Sequence, residues 1–576
     1  MKRTTACFLA AMTAFATVTQ AADLFVAPEG RGAMTGADWS NARKGTLDGY
    51  SGVRAAIVAA VADGATEVNV YFAGGTYAIS NQMSLSSISI PVKLSGGYLA
   101  ETDGSLAKGE TETTFARSTY DIRFIAATSL SALRIEGMTF SGGYVSYSGA
   151  RGGAVYLGAS STIITNCVFR GNHISDSTNG TGSFSGGGAV AAVSGSLDLV
   201  DCEFGGNYRS AGNRNNCTGG AVYANKADLR VSGCTFDKNY LDCVASRPYF
   251  FGAAIGTYHG TVSISNCTFT GNYIRGCSVE GGASAGALAI RNATMFKMSD
   301  STFSNCYVAN AAGLNPSYHT GVMLLDDLLP SDGLMTSVVE RCVFDSHGVP
   351  NTIRPNAGST QVPVRSDITV FGGSLFMTNC VIAGVRGNHV GSECSIRARG
   401  GTTLGRKNFA GYAYYTSGNW TIAPTSMELV NCTIADGKTY GAVAVGGAGM
   451  LLQNCIAYGN SVSGVVNAAS VEYSCIQEAH EGAGNFVADP HWTGAPYYHL
   501  LTKRAGGAIT DGWFGGTYNS PKTEKNSPCL DVGAPDKARA ALEPRPNGRH
   551  VNLGAYGGTP WASLTLSPPP TTFAVR

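Results

Sequence analysis

Charge is scarce in this 576-residue chain: 14% of its residues are Asp, Glu, Lys or Arg, and the formal net charge is +1. That balance excludes a general attraction to nucleic acid or to an anionic membrane surface. Long runs with apolar spacing of three and four are also missing, so helical repeat architectures are excluded. Beyond residue 22 no apolar run is long enough to cross a bilayer as a helix. The 16 cysteines contain no CxxC pair and no accompanying histidine cluster, so neither a zinc-type site nor any other metal site is expected. What is abundant is glycine, 76 residues of it, which fits many tight corners.

The chain opens MKRTTACFLAAMTAFATVTQAA, with Lys2 and Arg3 before an apolar run and a small-residue exit at Ala21 or Ala22. Residues 1–22 therefore read as a secretory signal, which places the mature chain outside the cytoplasm. Residues 23–114 read as an N-terminal cap and first coils. Within them Val53, Ile57 and Val61 form one helical stripe between Ser51 as N-cap and Gly64 as stop, a short helix suited to covering an open first coil.

From Gly152 to Asn305 one phrase is written five times, beginning GGAVYLGASSTIITNCVFRGN. A small-residue step ends on Val155, Val190, Val222, Ile255 or Leu288, and each copy closes on Phe169, Phe204, Phe236, Phe269 or Phe303. The core of each phrase is fixed in length and the connections vary. Short β-branched runs broken by Gly, Ser, Asn and Asp predict strands, and a period near 33 residues, shrinking later to bare coils, predicts a parallel β-helix over residues 115–485. The longer copies read as one coil of three strands plus a surface loop. Residues 486–562 read as last coils and a C-terminal cap, and 563–576 as a loose tail.

Three rows should stack along the axis. The Phe row fills the core. Cys167, Cys202, Cys234 and Cys267, followed by Cys342, Cys380, Cys432 and Cys455, stand two residues before the Phe or its aliphatic substitute and should be buried as small hydrophobes. Asn172, Asn207, Asn239 and Asn272 occupy a corner where side-chain amides can bond along the axis and the backbone can turn left-handed. Cys243 and Cys277 fall in equivalent positions after their Phe and are a disulfide candidate.

The alternation of GGA plus an aliphatic with FxxN, seen as FRGN, FGGN, FDKN and FTGN, resembles the repeats of chlamydial-type polymorphic outer membrane proteins. The ends, with LFVAPEG and GTY at the front and SPCLDVGAP…PRPNGRHVNLGAYGGTP at the back, resemble secreted bacterial pectate-lyase-like proteins. The resemblance implies an all-β, right-handed parallel β-helix. It also implies a surface or extracellular setting with adhesion as one role and polysaccharide lyase or hydrolase activity as another. The alternating strands of an outer-membrane barrel, which end the polymorphic proteins, are not read after the cap.

For function the variable segments matter most. Residues 386–420 combine Arg386, His389, Arg397, Arg399, Arg406, Lys407, Tyr414 and Trp420, cations for carboxylates or sulfates and rings for sugar faces. A hydrolase would need paired carboxylates, for which Asp326 and Asp327 with His347 are the nearest candidates. A lyase would need an Arg base, here Arg397 or Arg399, and calcium held by carboxylates. The reading favoured by the sequence is an exported, monomeric, non-catalytic β-helix that binds polysaccharide, surface glycan or protein and takes no cofactor.

Overall fold

The computed structural model describes residues 20–47, 52–101, 105–119, 121–147, 149–176, 184–211, 216–243, 249–250, 252–277, 284–310, 319–327, 334–348, 366–384, 394–400, 424–503, 507–511, 516–520, 523–545 and 547–564. It is an all-β parallel β-helix. Sheets of 25, 13, six and three strands are stacked from successive turns of the chain, and every pairing within them is parallel. The sole antiparallel ladder among the described strands joins Gly507–Asp511 to Gly516–Ser520.

One coil shows how the sequence builds the stack. Val155–Thr165 is an 11-residue strand of the largest sheet, and it bends at Ala159, whose φ is 50°. Ser194 and Lys226 take the same left-handed turn in the next two coils. The chain turns again at Asn166 (φ 50°), buries Cys167 and enters the 13-stranded sheet as Val168–Arg170. Residues alternate inward and outward along these strands, so the register Val155↔Val190↔Val222 and Phe169↔Phe204↔Phe236 sends like residues to like places.

The expected rows are present. Phe169, Phe204, Phe236, Phe269, Phe303 and Phe344 stack at 4.5–4.9 Å with ring planes within 5° of parallel. Each is nearly or fully buried. The Asn row is a continuous hydrogen-bonded tape: Nδ2 of Asn172 donates to Oδ1 of Asn207 at 2.9 Å, Asn207 to Asn239 at 3.0 Å and Asn239 to Asn272 at 3.0 Å. Each Nδ2 also donates to the carbonyl of a Phe one coil back. The left-handed residue at this corner is not the Asn but the one before it, Gly171, Gly206, Lys238 or Gly271, with φ of 51–59°. The turn has to be finished before the Asn side chain can point inward.

In the cysteine row the thiols are free and buried, and the Cys202 amide donates to Cys234 Sγ at 3.4 Å. Ser301 stands in that row between Cys267 and Cys342, and its hydroxyl accepts from the Cys267 amide at 3.1 Å. The row serves the backbone as well as the core, which is why a hydroxyl can replace a thiol.

The repeats differ from a coil with a loop attached. After Asn172 the chain runs through His173–Asp176 and returns through Phe184–Gly186, strands of two further sheets. Arg209 in the outgoing set donates to Ser185 in the returning set, so the two sheets face each other as an arm. Val145, Ile174, Arg209, Leu241 and Ile274 form the buried row of that arm.

The GGA step closes the core at the arm's base. A Cβ on Gly153, Gly220 or Gly286 would lie 2.6 Å from a backbone atom of His173, Tyr240 or Tyr307. Only glycine lets the two chain segments pass this closely.

At the front, the helix Val53–Ala62 buries Val53 and Ile57 on the core, with Val61 partly buried beside them. Its N-cap is Gly52, it stops before Gly64 (φ 90°), and Ser51 lies outside the described residues. At the back, part of the chain after Phe486 folds along the outside of the 13-stranded sheet. Tyr498, Ala555 and Tyr556 cover Val343, Val381, Ala383 and Ala435. No helix among the described residues is long and apolar enough to cross a membrane.

Candidate functional site

The carboxylates singled out in the sequence are built into the largest sheet. Asp326 ends the strand His319–Asp326 and stands in register between Arg291 and Phe371, with Arg399 next in the same row. Its Oδ2 lies 3.5 Å from Arg291 Nε, with both side chains almost fully buried. Burial pushes the Asp326 carboxyl up to about 6, against the pull of Arg291. Asp327 accepts the Met335 amide at 2.7 Å, and burial raises its pKa too. It therefore ties the end of this strand to Met335.

Arg397 and Arg399 share the strand Cys394–Arg399. Arg397 is buried in register with Thr369, and the Arg399 guanidinium lies 5.6 Å from the Phe371 ring centre. The fold thus places Asp326 and Arg399 in one row with Phe371 between them. Arg386, His389, Arg406, Lys407, Tyr414 and Trp420 lie outside the described residues, so the basic and aromatic stretch is described only at Arg397 and Arg399. The backbones of Cys243 and Cys277 end the neighbouring strands Tyr240–Cys243 and Tyr273–Cys277, and their side chains lie outside the described set.

His347 is elsewhere, just past the end of the strand Val343–Asp345 of the 13-stranded sheet. Its Nδ1 lies 2.7 Å from Asp345 Oδ1, and its Nε2 lies 3.4 Å from Asp436 Oδ2 and 3.3 Å from the Tyr498 hydroxyl. That hydroxyl donates to Asp436 at 2.5 Å. A Cβ at Gly384, in the coil between, would collide with the imidazole. Hydrogen bonds first to Asp345 and then to Asp436 raise the His347 pKa to about 9, and the bond from His347 lowers that of Asp436. Near neutral pH this is an imidazolium held between two carboxylates, and it fastens the returning tail through Tyr498. A general base needs an unprotonated nitrogen free to take a proton, and here both nitrogens are engaged. Asp326 faces Arg291 and Asp327 accepts from Met335 in or beside the largest sheet, whereas His347 follows a strand of the 13-stranded sheet.

The most regular outward feature was not singled out from the sequence. On the outer face of the arm's outgoing strands, Tyr144, His173, Tyr208, Tyr240, Tyr273 and Tyr307 stand in register. Successive rings stack at 4.3, 4.5, 4.6, 5.0 and 5.2 Å. All six are half-buried. Burial drives His173 down to about 4, so the ring is neutral at physiological pH. It raises Tyr208 and Tyr273 and pushes Tyr240 up to about 12.

Beside the rings runs a second outward row, Ser175, Ser210, Asp242 and Arg275. Arg275 pairs with Asp242 at 2.7 Å and lies 4.9 Å from the Tyr240 ring centre, while Arg117 lies 5.3 Å from that of Tyr144. The signal was available in the sequence: four of the six rings directly follow the Asn row, as FRGNH, FGGNY, FDKNY and FTGNY. Among known protein families, curated proteins and solved structures, none matches this chain.

Proposed function

We propose that the protein is an exported, non-catalytic β-helix that binds glycan or protein at a cell surface, with its outward arms and inter-strand segments as the contact region. The supporting observation is how the two sets of polar residues are used. Of the residues that acid–base chemistry would call on, Asp327 and His347 are held by hydrogen bonds and Asp326 faces the buried Arg291 at 3.5 Å. The outer row of the arm, by contrast, lies beyond the closed core and carries repeated aromatic and polar groups. A rigid scaffold that displays variable or outward groups is the usual arrangement for binding. The resemblance of the repeats to polymorphic outer membrane proteins and of the ends to pectate-lyase-like proteins agrees with this reading. It also supplies the runner-up, a lyase or hydrolase acting on acidic polysaccharide.

A glycan array combined with incubation on polyuronates separates the two. Binding without ultraviolet-absorbing unsaturated products or new reducing ends is expected. Turnover of any polyuronate overturns the non-catalytic reading.

A further inference from the structure

We propose that Cys475 and Cys529 become joined as a disulfide that fastens the C-terminal tail to the last coil of the β-helix. This rests on the reading of the protein as exported, because such cross-links persist in oxidising compartments.

The two cysteines stand apart from the buried row. That row continues from Cys455 to Ser474, whose hydroxyl accepts the Cys455 amide at 3.0 Å. Cys475, one position further on, is in register with Ile456 in the 13-stranded sheet. Strand alternation therefore turns it out of the coil, into a buried cluster with Ile456, Leu500, Cys529, Leu530 and Leu553. Cys529 enters that cluster from the opposite side, on the returning tail.

Both cysteines are tied to one short segment. Cys475 Sγ donates to the Ala488 carbonyl at 3.2 Å. The Ser527 hydroxyl accepts the Cys529 amide at 3.1 Å and itself donates to the Pro490 carbonyl. Residues 488–490 thus hold the two thiols against each other, and both side chains are fully buried. Their mutual hydrogen bond lowers the pKa of Cys475 and raises that of Cys529, which makes Cys475 the readier thiolate.

The row differs in geometry. Its thiols lie side by side in successive coils, and each donates to the carbonyl two residues before it. Facing segments bring two sulfurs onto one bond, as a disulfide requires, whereas thiols aligned in parallel do not. Among the described residues no three His, Cys, Asp or Glu side chains are grouped to hold a metal, which leaves the pair without a third ligand there.

The oxidant is the disulfide of an extracytoplasmic thiol–disulfide exchange protein. The Cys475 thiolate attacks it to give a mixed disulfide, and Cys529 then displaces the exchange protein. Two S–H bonds are lost and one Sγ–Sγ bond forms, while two hydrogens and two electrons leave with the exchange protein as its dithiol. Burial of both thiols in the docked tail places this exchange before docking is complete. The product closes residues 476–528 into a covalent loop, which narrows the unfolded ensemble.

Mass mapping of non-reduced peptides tests the bond, using the full chain expressed with residues 1–22 in a bacterial host and recovered from the periplasm. A peptide pair linked through Cys475 and Cys529 and separated by reductant is expected, with Cys202, Cys234 and Cys267 as free thiols. The melting temperature of the wild type should fall by several degrees when reductant is added, and the fall should be smaller in Cys529→Ser. The wild-type mapping stands on its own where the variant folds poorly.

Folded periplasmic protein with both thiols free, or with Cys529 linked elsewhere, overturns the cross-link and leaves export standing. A chain retained in the cytoplasm overturns export instead. Refolding of the purified chain from denaturant in mixed reduced and oxidised glutathione then tests the pair alone, and a folded product with both thiols free overturns the cross-link.

Discussion

Asn239 accepts from the amide and the side chain of Asn207 and donates to Phe204 and Asn272, all between 2.9 and 3.0 Å and all fully buried. Asn239→Ala removes four buried hydrogen bonds at once, and a loss of about 2–4 kcal/mol is expected in denaturant unfolding. Phe236→Ala, which opens a cavity inside the stacked row, should cost about 3–5 kcal/mol by the same measurement. The thiols of the cysteine row are buried, and the pKa values of Cys202, Cys234 and Cys267 are raised, so they should label only on unfolding. Peptide mapping after native labelling checks this, and rapid modification of Cys234 in folded protein would contradict it.

These rows were legible because a parallel coil returns each residue type to one place, and constant spacing from aliphatic to Phe reveals that return. The left-handed residue was misplaced by one position, because composition does not show that the backbone must turn before the amide can enter the core. The tyrosines are as regular in the sequence as the asparagines. Spacing alone, however, does not show that the chain has left the core at that point.

At the level of elements, the departure from a three-strand coil comes from the arm, and the glycines at its base make it possible. A Cβ on Gly220 would lie 2.2 Å from the Ala253 carbonyl oxygen of the next coil and 2.6 Å from that of Tyr240, whereas a Cβ on Gly205 would meet nothing within 4 Å. Gly220→Ala should therefore cost about 3 kcal/mol or more, since backbone rather than a flexible side chain must give way. Gly205→Ala should change stability by less than about 1 kcal/mol. Thermal unfolding of the pair checks the contrast, and equal effects would contradict the pinch. The sequence shows these glycines as a motif, but the reason for them is a contact across the coil that no local pattern reveals. The same applies to Asp326 and Asp327: adjacency suggested a catalytic pair, while strand alternation and the turn that follows send them to Arg291 and Met335.

Over the whole molecule, the tail is held to the stack by the cluster around His347. Its folded pKa is about 9 against an ordinary 6.5, so its contribution to stability is complete below about pH 6.5 and disappears as pH rises through 9. For a side chain about a quarter exposed, that contribution is roughly 1–2 kcal/mol after screening. The melting temperature of wild type should exceed that of His347→Gln at pH 6, and the gap should close by about pH 10. A gap that widens with pH would reverse the assignment. This long-range closure was beyond the sequence, because it joins residues 347 and 436 across one intervening coil and brings residue 498 back on a returning tail.

Stacked rows hold the molecule together, and the proposed binding belongs to its outward surfaces. Titrating an oligogalacturonate into Phe236→Ala protein, at a temperature where circular dichroism shows it folded, tests that division most directly. Wild-type affinity despite the lost stability is the predicted result. A folded Phe236→Ala protein that no longer binds a ligand the wild type binds would contradict it.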